Sequence, residues 1–300
     1  MSEYTSEAVN DLATVIDVLR WTVSQFYSND LHYGHGTDNG WDEAVALILQ
    51  ALNLPMDVDQ RILQGRLTRS EKKHLLELVE KRVLLGTPVP YLVNVAWFCN
   101  LPFYVDERVL IPRSPIAELI ENQFSPWFEE PPQRILDLGT GSGCIAIAAA
   151  VYCPQSQVIA VDIDQAALEV AKFNMQQHQV EITLVKSDFF VALEKEERFD
   201  LIISNPPYVP KQSMATLPKE YTHEPQTALL AHDEGLEFAE RILRQSAQHL
   251  TEKGYLIMEV GESQDALAQR YPKVPFLWLE FARGGEGVFL LEAEQLRKHF

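Results

Sequence analysis

Apolar side chains recur every three or four positions at the start of the chain, at Val9, Leu12, Val15, Ile16 and Leu19, and again at Ala44, Val45, Leu47, Ile48 and Leu52. That spacing marks one face of a helix, so residues 8 to 85 read as helical. The run SEKKHLLELVEKRVLLG predicts a helix opened by Ser70 as cap and closed at Gly86. The period then changes. Residues 91 to 105, YLVNVAWFCNLPFYV, are rich in Val, Phe, Tyr and Trp and are broken by Asn100 and Pro102, which predicts a β-hairpin with Trp97 and Tyr104 in its core. Beyond Pro131 and Pro132, short apolar runs alternate with helical stretches. Strands are expected at 135–138, 158–161, 182–185, 201–204, 255–260 and 288–291, with helices at 144–151, 165–175 and 236–250.

Such β-α alternation points to an α/β fold with a doubly wound, mostly parallel sheet that binds ligands at the carboxyl ends of its strands. The chain accordingly divides into a helical domain at 1–90, a hairpin linker at 91–115 and an α/β domain at 116–300. No internal repeat or low-complexity segment interrupts this order.

Composition narrows the function. The start MSEYTSEAVNDL is polar and acidic where a signal peptide needs a basic end and an apolar block. The uncharged run from Leu138 to Val161 opens with LGTGSG and is interrupted by Pro154, leaving too few apolar residues for the roughly 20 of a membrane span. No membrane association is expected. Cys99, Cys144 and Cys153 form no CxxC and no even framework, and no His stands at metal spacing from them, so a reduced cytoplasmic protein without a metal is expected. The formal charge is −18, shared as −5 over residues 1–100 and −13 over the remainder. A chain acidic in both parts repels DNA and rRNA, so no direct DNA binding is expected and a basic protein partner suits it better.

Two stretches carry candidate chemistry. ILDLGTGSGCIAI sets Asp137, Gly139, Thr140, Gly141 and Gly143 between a strand and a helix, where backbone can approach a ligand. Its spacing is G-x-G-x-G and lacks both the dinucleotide fingerprint and a phosphate-loop Lys. A carboxylate before the glycines suits a cationic amino group better than a pyrophosphate. Asp162, nineteen residues past Gly143, ends the next strand, where a carboxylate can accept both hydroxyls of a ribose. Asp188 and Phe189 in SDFF follow the third strand and suit the amino group and face of an adenine. Amino acid, ribose and adenine together describe S-adenosyl-L-methionine.

The second stretch is LIISNPPYVP, in which Asn205, Pro206, Pro207 and Tyr208 follow the fourth strand. A nitrogen conjugated to a carbonyl or ring is a poor nucleophile. The Asn205 side-chain oxygen and the Pro206 carbonyl can accept its two N–H bonds, turning the lone pair toward a methyl donor and stabilising the charge that develops. The prolines stiffen the turn and Tyr208 can pack on the planar group. Arg113 and Glu118 read as surface ion-pair residues.

DLGTGSG, VDID, SDF and NPPY, in this order, resemble the motifs of class I, Rossmann-like S-adenosylmethionine-dependent methyltransferases that alkylate exocyclic or amide nitrogen. Over nearly its whole length the chain is similar to the protein-glutamine N5-methyltransferases. That resemblance implies a seven-stranded catalytic domain, a helical N-terminal substrate-recognition domain and the hairpin linker. IPRSPIAEL, from Ile111, with AWFCNLPFYVDERVLIPRSPI before and across it, resembles the branch acting on large-subunit ribosomal protein three. The substrate so implied is that basic protein before assembly, methylated on a glutamine side chain. Three other readings stay open on the residues alone: a release-factor glutamine methyltransferase, an adenine or guanine amino methyltransferase acting on nucleic acid, and a non-catalytic ribosome assembly factor.

Overall fold

The computed structural model describes residues 3–300, so the first two residues of the polar start lie outside the described chain. Two compact units are present. The first takes in the chain up to Ala96 together with Val105–Glu107 and Pro218–His223, and the second takes in Trp97–Tyr104, Arg108–Leu217 and Glu224–Phe300.

The first unit is helical. Its main helices are Val15–Tyr27, Gly40–Ala51 and Arg69–Glu80, whose apolar faces bury Val18, Phe26, Leu47, Ile48, Leu75 and Val79 in one core. Thr14 caps the first of these with a capping box to Asp17, and Thr68 caps the third with Glu71. The cap expected at Ser70 therefore lies two residues earlier, because Thr68 has the Glu three residues on that completes the box. It continues through a π-helical turn, Lys81–Leu85, and stops at Gly86, whose φ of 73° suits glycine.

Arg82 in that turn is fully buried. Its guanidinium donates to Glu43 Oε2 at 3.1 Å, to Glu220 Oε1 at 2.9 Å and to the His32 carbonyl at 2.8 Å. Glu220 Oε1 also accepts from the His32 amide at 3.0 Å. One cation thus faces two buried carboxylates, and burial raises the Glu43 carboxyl to about 7.

The second unit opens on β1 (Ala96–Phe98) and β2 (Leu101–Phe103), a two-stranded sheet turned at Cys99 and Asn100, both at positive φ. The ribbon is shorter than the sequence predicts, since residues Val89–Val93 are helical. Strand alternation turns Trp97 outward, 49% exposed, rather than into the core. Tyr104 meets Phe173 edge to face with ring centres 5.1 Å apart.

The main sheet has seven strands: β3 (Arg134–Leu138), β4 (Gln157–Asp162), β5 (Thr183–Lys186), β6 (Phe199–Ser204), β9 (Leu250–Glu259), β10 (Leu277–Trp278) and β11 (Val288–Glu292). A small parallel pair, β7 (Val209–Pro210) and β8 (Leu230–Ala231), stands apart. The order across the main sheet is β5-β4-β3-β6-β9-β11-β10, with β5 to β9 parallel and β11 antiparallel to both its neighbours. The winding reverses at β3, between β4 and β6, which is where an open α/β sheet leaves a crevice for ligands. Central strands are apolar along their length because both faces are covered. One core holds Ile135, Ala146, Leu201, Ile203 and Ile257, and the other holds Leu136, Leu138, Ile202, Ile242 and Met258. Among the described residues no helix is long and apolar enough to cross a membrane.

Candidate functional site

A cavity of about 560 Å³ opens at the carboxyl edge of the sheet and lies wholly within the second unit. Four of the five parallel strands deliver a short segment to it: Gly139 and Gly141 after β3, Asp162 to Asp164 after β4, Ser187 to Phe189 after β5, and Asn205 with Pro207 after β6. Seven of the sequence-predicted residues therefore meet on one wall.

The glycine loop has a defined geometry. Gly139 and Gly141 have φ of +76° and +55°, and a Cβ built on either would meet nothing within 4 Å. Glycine is used here for its backbone, and the space above the loop is free for a ligand. Gly143 differs, since a Cβ there would come within 3.0 Å of Ile147 Cδ1 and 3.1 Å of Ala171 Cβ. It serves the packing of helix Cys144–Tyr152 on its neighbour and is not on the cavity wall.

Asp137 and Thr140 lie behind that wall, 1% and 5% exposed. Thr140 Oγ1 donates to Asp137 Oδ2 at 2.6 Å, bracing the loop from beneath. Burial raises the Asp137 carboxyl from 3.8 to about 7, with the Thr140 bond opposing and Asp162 adding to the shift. A buried carboxyl of this kind accommodates a cation nearby more readily than an anion.

Asp162 faces the cavity. Its Oδ2 accepts from the Gly141 amide at 2.8 Å and its Oδ1 from the Asp164 amide at 2.9 Å, so it also ties the first loop to the second. Desolvation raises its carboxyl, partly offset by those two amides. A carboxylate oxygen can accept more than one bond, so this cavity-wall group can still take ribose hydroxyls. Asp188 has a partner that the sequence did not signal: Arg241 donates to its Oδ2 at 2.7 Å. The same guanidinium stands 5.0 Å from the centre of the Phe189 ring, and Phe238 meets that ring at 5.9 Å. Phe189 is thereby held as a flat platform, with φ of +49°.

Asn205 is partly exposed, and among the described residues no hydrogen bond engages its side-chain amide. Pro206 is buried behind it and Pro207 lines the cavity. Tyr208 is not on the cavity wall. Its hydroxyl donates to Glu259 Oε1 at 3.0 Å and its carbonyl accepts from Ser263 Oγ at 3.0 Å.

Further wall residues come from segments to which the sequence assigns no cofactor role: Arg108 to Leu110, Pro225 to Ala228, His232, and Phe238 with Arg241 on helix Glu237–His249. Arg113, expected in a surface pair, instead makes a two-pronged bond to the buried Glu224 at 2.7 and 2.8 Å. Glu224 Oε1 also accepts from the Ile111 amide at 3.0 Å. Glu118 does pair at the surface, with Arg283.

The family model and the curated relatives agree on one chemistry. Residues 122–229 match the model of the methyltransferase small domain. A curated relative from Francisella tularensis subsp. tularensis, a ribosomal protein uL3 glutamine methyltransferase, is 46% identical over 98% of this chain and 94% of its own length. A second of the same description from Neisseria gonorrhoeae is 45% identical over 97% of this chain and 98% of its own. Among solved structures, a methyltransferase from Pyrococcus furiosus covers 75% of this chain and 99% of its own at 17% identity and a TM-score of 0.47. The hMettl16 catalytic domain covers 74% and 80% at 21% identity and a TM-score of 0.48.

Proposed function

The chain belongs to the ribosomal protein uL3 glutamine methyltransferases, and from that premise we propose that it transfers one methyl group to the side-chain amide nitrogen of a glutamine in uL3. The methyl donor is S-adenosyl-L-methionine, whose positively charged sulfur makes the attached methyl carbon electrophilic. The residues at the cavity fit it. Gly139 and Gly141 leave room above the loop, the buried Asp137 favours the cationic amino end, Asp162 offers lone pairs to the ribose, and Phe189 with Asp188 forms the adenine end.

Asn205 carries the catalytic part of the reading. Its unengaged amide stands on the same cavity wall as the glycine loop, where an acceptor for a carboxamide N–H is needed. The Asn205 oxygen and the Pro206 carbonyl take the two N–H bonds of the glutamine side chain, which draws the nitrogen lone pair out of conjugation and aims it at the methyl. Both acceptors stabilise the positive nitrogen as it forms. The product cation is a strong acid, so its proton leaves to water and no strong base is required. Pro206 and Pro207 keep the acceptors from turning away.

The net charge of −18 favours a basic protein substrate through long-range attraction, best before rRNA covers it, which supports the reading of a cytoplasmic reaction. Recognition of the protein is assigned to the helical unit, which supplies none of the cavity wall.

The test offers labelled cofactor with purified uL3, a purified release factor, and naked rRNA, followed by mass spectrometry. One methyl on a uL3 glutamine is expected. Label on the release factor or the nucleic acid with none on uL3 overturns the assignment, and label on nothing would leave the assembly-factor reading in its place.

A further inference from the structure

Glu259 ends β9 beside the point where Asn205 leaves β6, since Ser204 is in register with Met258. A carboxylate in this setting is unusual, because its chain neighbours Met258 and Val260 are fully buried and Glu259 itself is only 5% exposed. Both of its oxygens are engaged. Tyr208 Oη donates to Oε1 at 3.0 Å and Ser114 Oγ donates to Oε2 at 2.5 Å. Burial raises the Glu259 carboxyl, and the bonds from Ser114 and Tyr208, with the charge of Arg113, act against that rise.

The two hydroxyls come from stretches far apart in the sequence. Tyr208 completes the NPPY turn, and Ser114 stands in IPRSP, where its Oγ also accepts from the Ile116 amide at 3.2 Å. Next to Ser114, Arg113 holds Glu224, and the cavity wall resumes at Pro225.

Tyr208 is restrained on its other sides as well. A Cβ on Gly261 would lie 2.5 Å from Tyr208 Cε2, and one on Gly235 would lie 2.2 Å from the Tyr208 carbonyl oxygen. That carbonyl accepts from Ser263 Oγ, which also donates to the Glu234 carbonyl at 3.0 Å. The ring is thus gripped along one side and at its tip while remaining partly exposed. Glycines that fit the ring this closely would accept a phenylalanine equally well, so the slot alone does not require the hydroxyl.

Building on the reading of Asn205 above, we infer that Glu259 is a positioning residue for methyl transfer. By accepting from Tyr208 and Ser114 together, it fixes the Tyr208 ring from behind the cavity, and so the turn that carries Asn205 on the cavity wall. A lone pair aimed at a methyl tolerates little rotation, so loosening the turn that holds Asn205 costs turnover more than binding.

The test uses the full chain as wild type, Glu259→Gln, Tyr208→Phe and the double variant, with uL3 as substrate. Gln keeps the volume of Glu259 but supplies one acceptor oxygen where the carboxylate supplies two. Each single substitution is expected to lower kcat about tenfold or more, with KM and the cofactor Kd changed less than about threefold. The double variant should be no slower than the slower single, because both changes undo one contact. Multiplying losses, an undiminished kcat in Glu259→Gln, or a loss carried by the cofactor Kd would each overturn the inference.

Hydrogen exchange reads the same contact without substrate. The amides of Asn205, Tyr208 and Val209 should exchange about tenfold faster in Glu259→Gln while those of 199–204 keep their protection. Unchanged exchange at those three amides, or equal loosening of both segments, counts against a local positioning role. If the wild type does not methylate uL3, the proposed substrate falls, and the exchange result still decides the role of Glu259.

Discussion

The carboxyl of Asp137 should make cofactor affinity depend on pH near neutrality. Burial raises this group from 3.8 to about 7, so it is half protonated at pH 7 in the free protein and about nine-tenths protonated at pH 6. A cationic amino group bound above the loop favours the ionised form, and binding must therefore release a proton. Each pH unit below 7 adds about 1.4 kcal/mol to the cost of ionising Asp137, which weakens binding about tenfold per unit. The affinity should level off above pH 7 and fall again near pH 8, where an α-amino group with pKa of roughly 8 loses its own charge.

Isothermal titration in two buffers of different ionisation enthalpy measures both the Kd and the protons released, expected at about half a proton at pH 7 and nearly one at pH 6. Asp137→Asn keeps an oxygen for Thr140 but cannot ionise. It should bind more weakly at pH 7.5 and lose most of the slope, any remainder belonging to Asp162. The stability of the free protein moves in the opposite sense. A carboxyl whose folded pKa lies above its unfolded one stabilises the fold at low pH, and that contribution is lost as pH rises from about 4 to 7. The loss is of order 4 kcal/mol at most, so Asp137→Asn should melt at a higher temperature than the wild type at pH 8 while binding the cofactor less well. A wild-type Kd that is flat between pH 5.5 and 7.5, or the same slope in both proteins, would refute the argument.

Asn205→Ala should lower methyl transfer by about a hundredfold to a thousandfold, the scale of losing one charge-stabilising contact, with the cofactor Kd by calorimetry within about threefold of wild type. Gly141→Ala adds a methyl that meets no protein atom within 4 Å, at a φ of +55°. It should cost about 1 kcal/mol in denaturant unfolding yet weaken cofactor binding about tenfold, because the methyl enters the cavity. Arg82→Met leaves Glu43 and Glu220 buried without their cation and should destabilise the protein by about 3–5 kcal/mol at pH 8, as read by denaturant titration. The loss should shrink toward pH 5, since Glu43 can then be protonated.

Much of the sheet was legible because its strands are buried on both faces and so read as unbroken apolar runs: ILDL, VIAV and LIIS lie in β3, β4 and β6. The cavity residues that directly follow those strands were legible for the same reason, since parallel winding brings all the carboxyl ends to one edge. What escaped the sequence is long-range. Glu259 reaches Ser114 across 145 positions and Arg113 reaches Glu224 across 111. No periodicity encodes either contact, although an acid closing the run LIME at the ligand edge was a usable hint. Strand β10 is only two residues long, below what alternation can reveal. The cap at Thr68 was missed because Ser70 is an equally plausible cap by residue type, and only the Glu71 partner distinguishes them.

Pro218–His223 is embedded in the sequence of the second unit yet belongs to the first, where Glu220 shares the buried guanidinium of Arg82. The helical unit is therefore not a contiguous cassette. A single crossover between two related genes near residue 100 would inherit Arg82 from one parent and Glu220 from the other. A chimaera would work only where the parents agree on both residues or where 218–223 is grafted along with the N-terminal piece. The same interleaving couples the ancestry of the two units, so divergence in the helical part drags a stretch of the catalytic chain along with it.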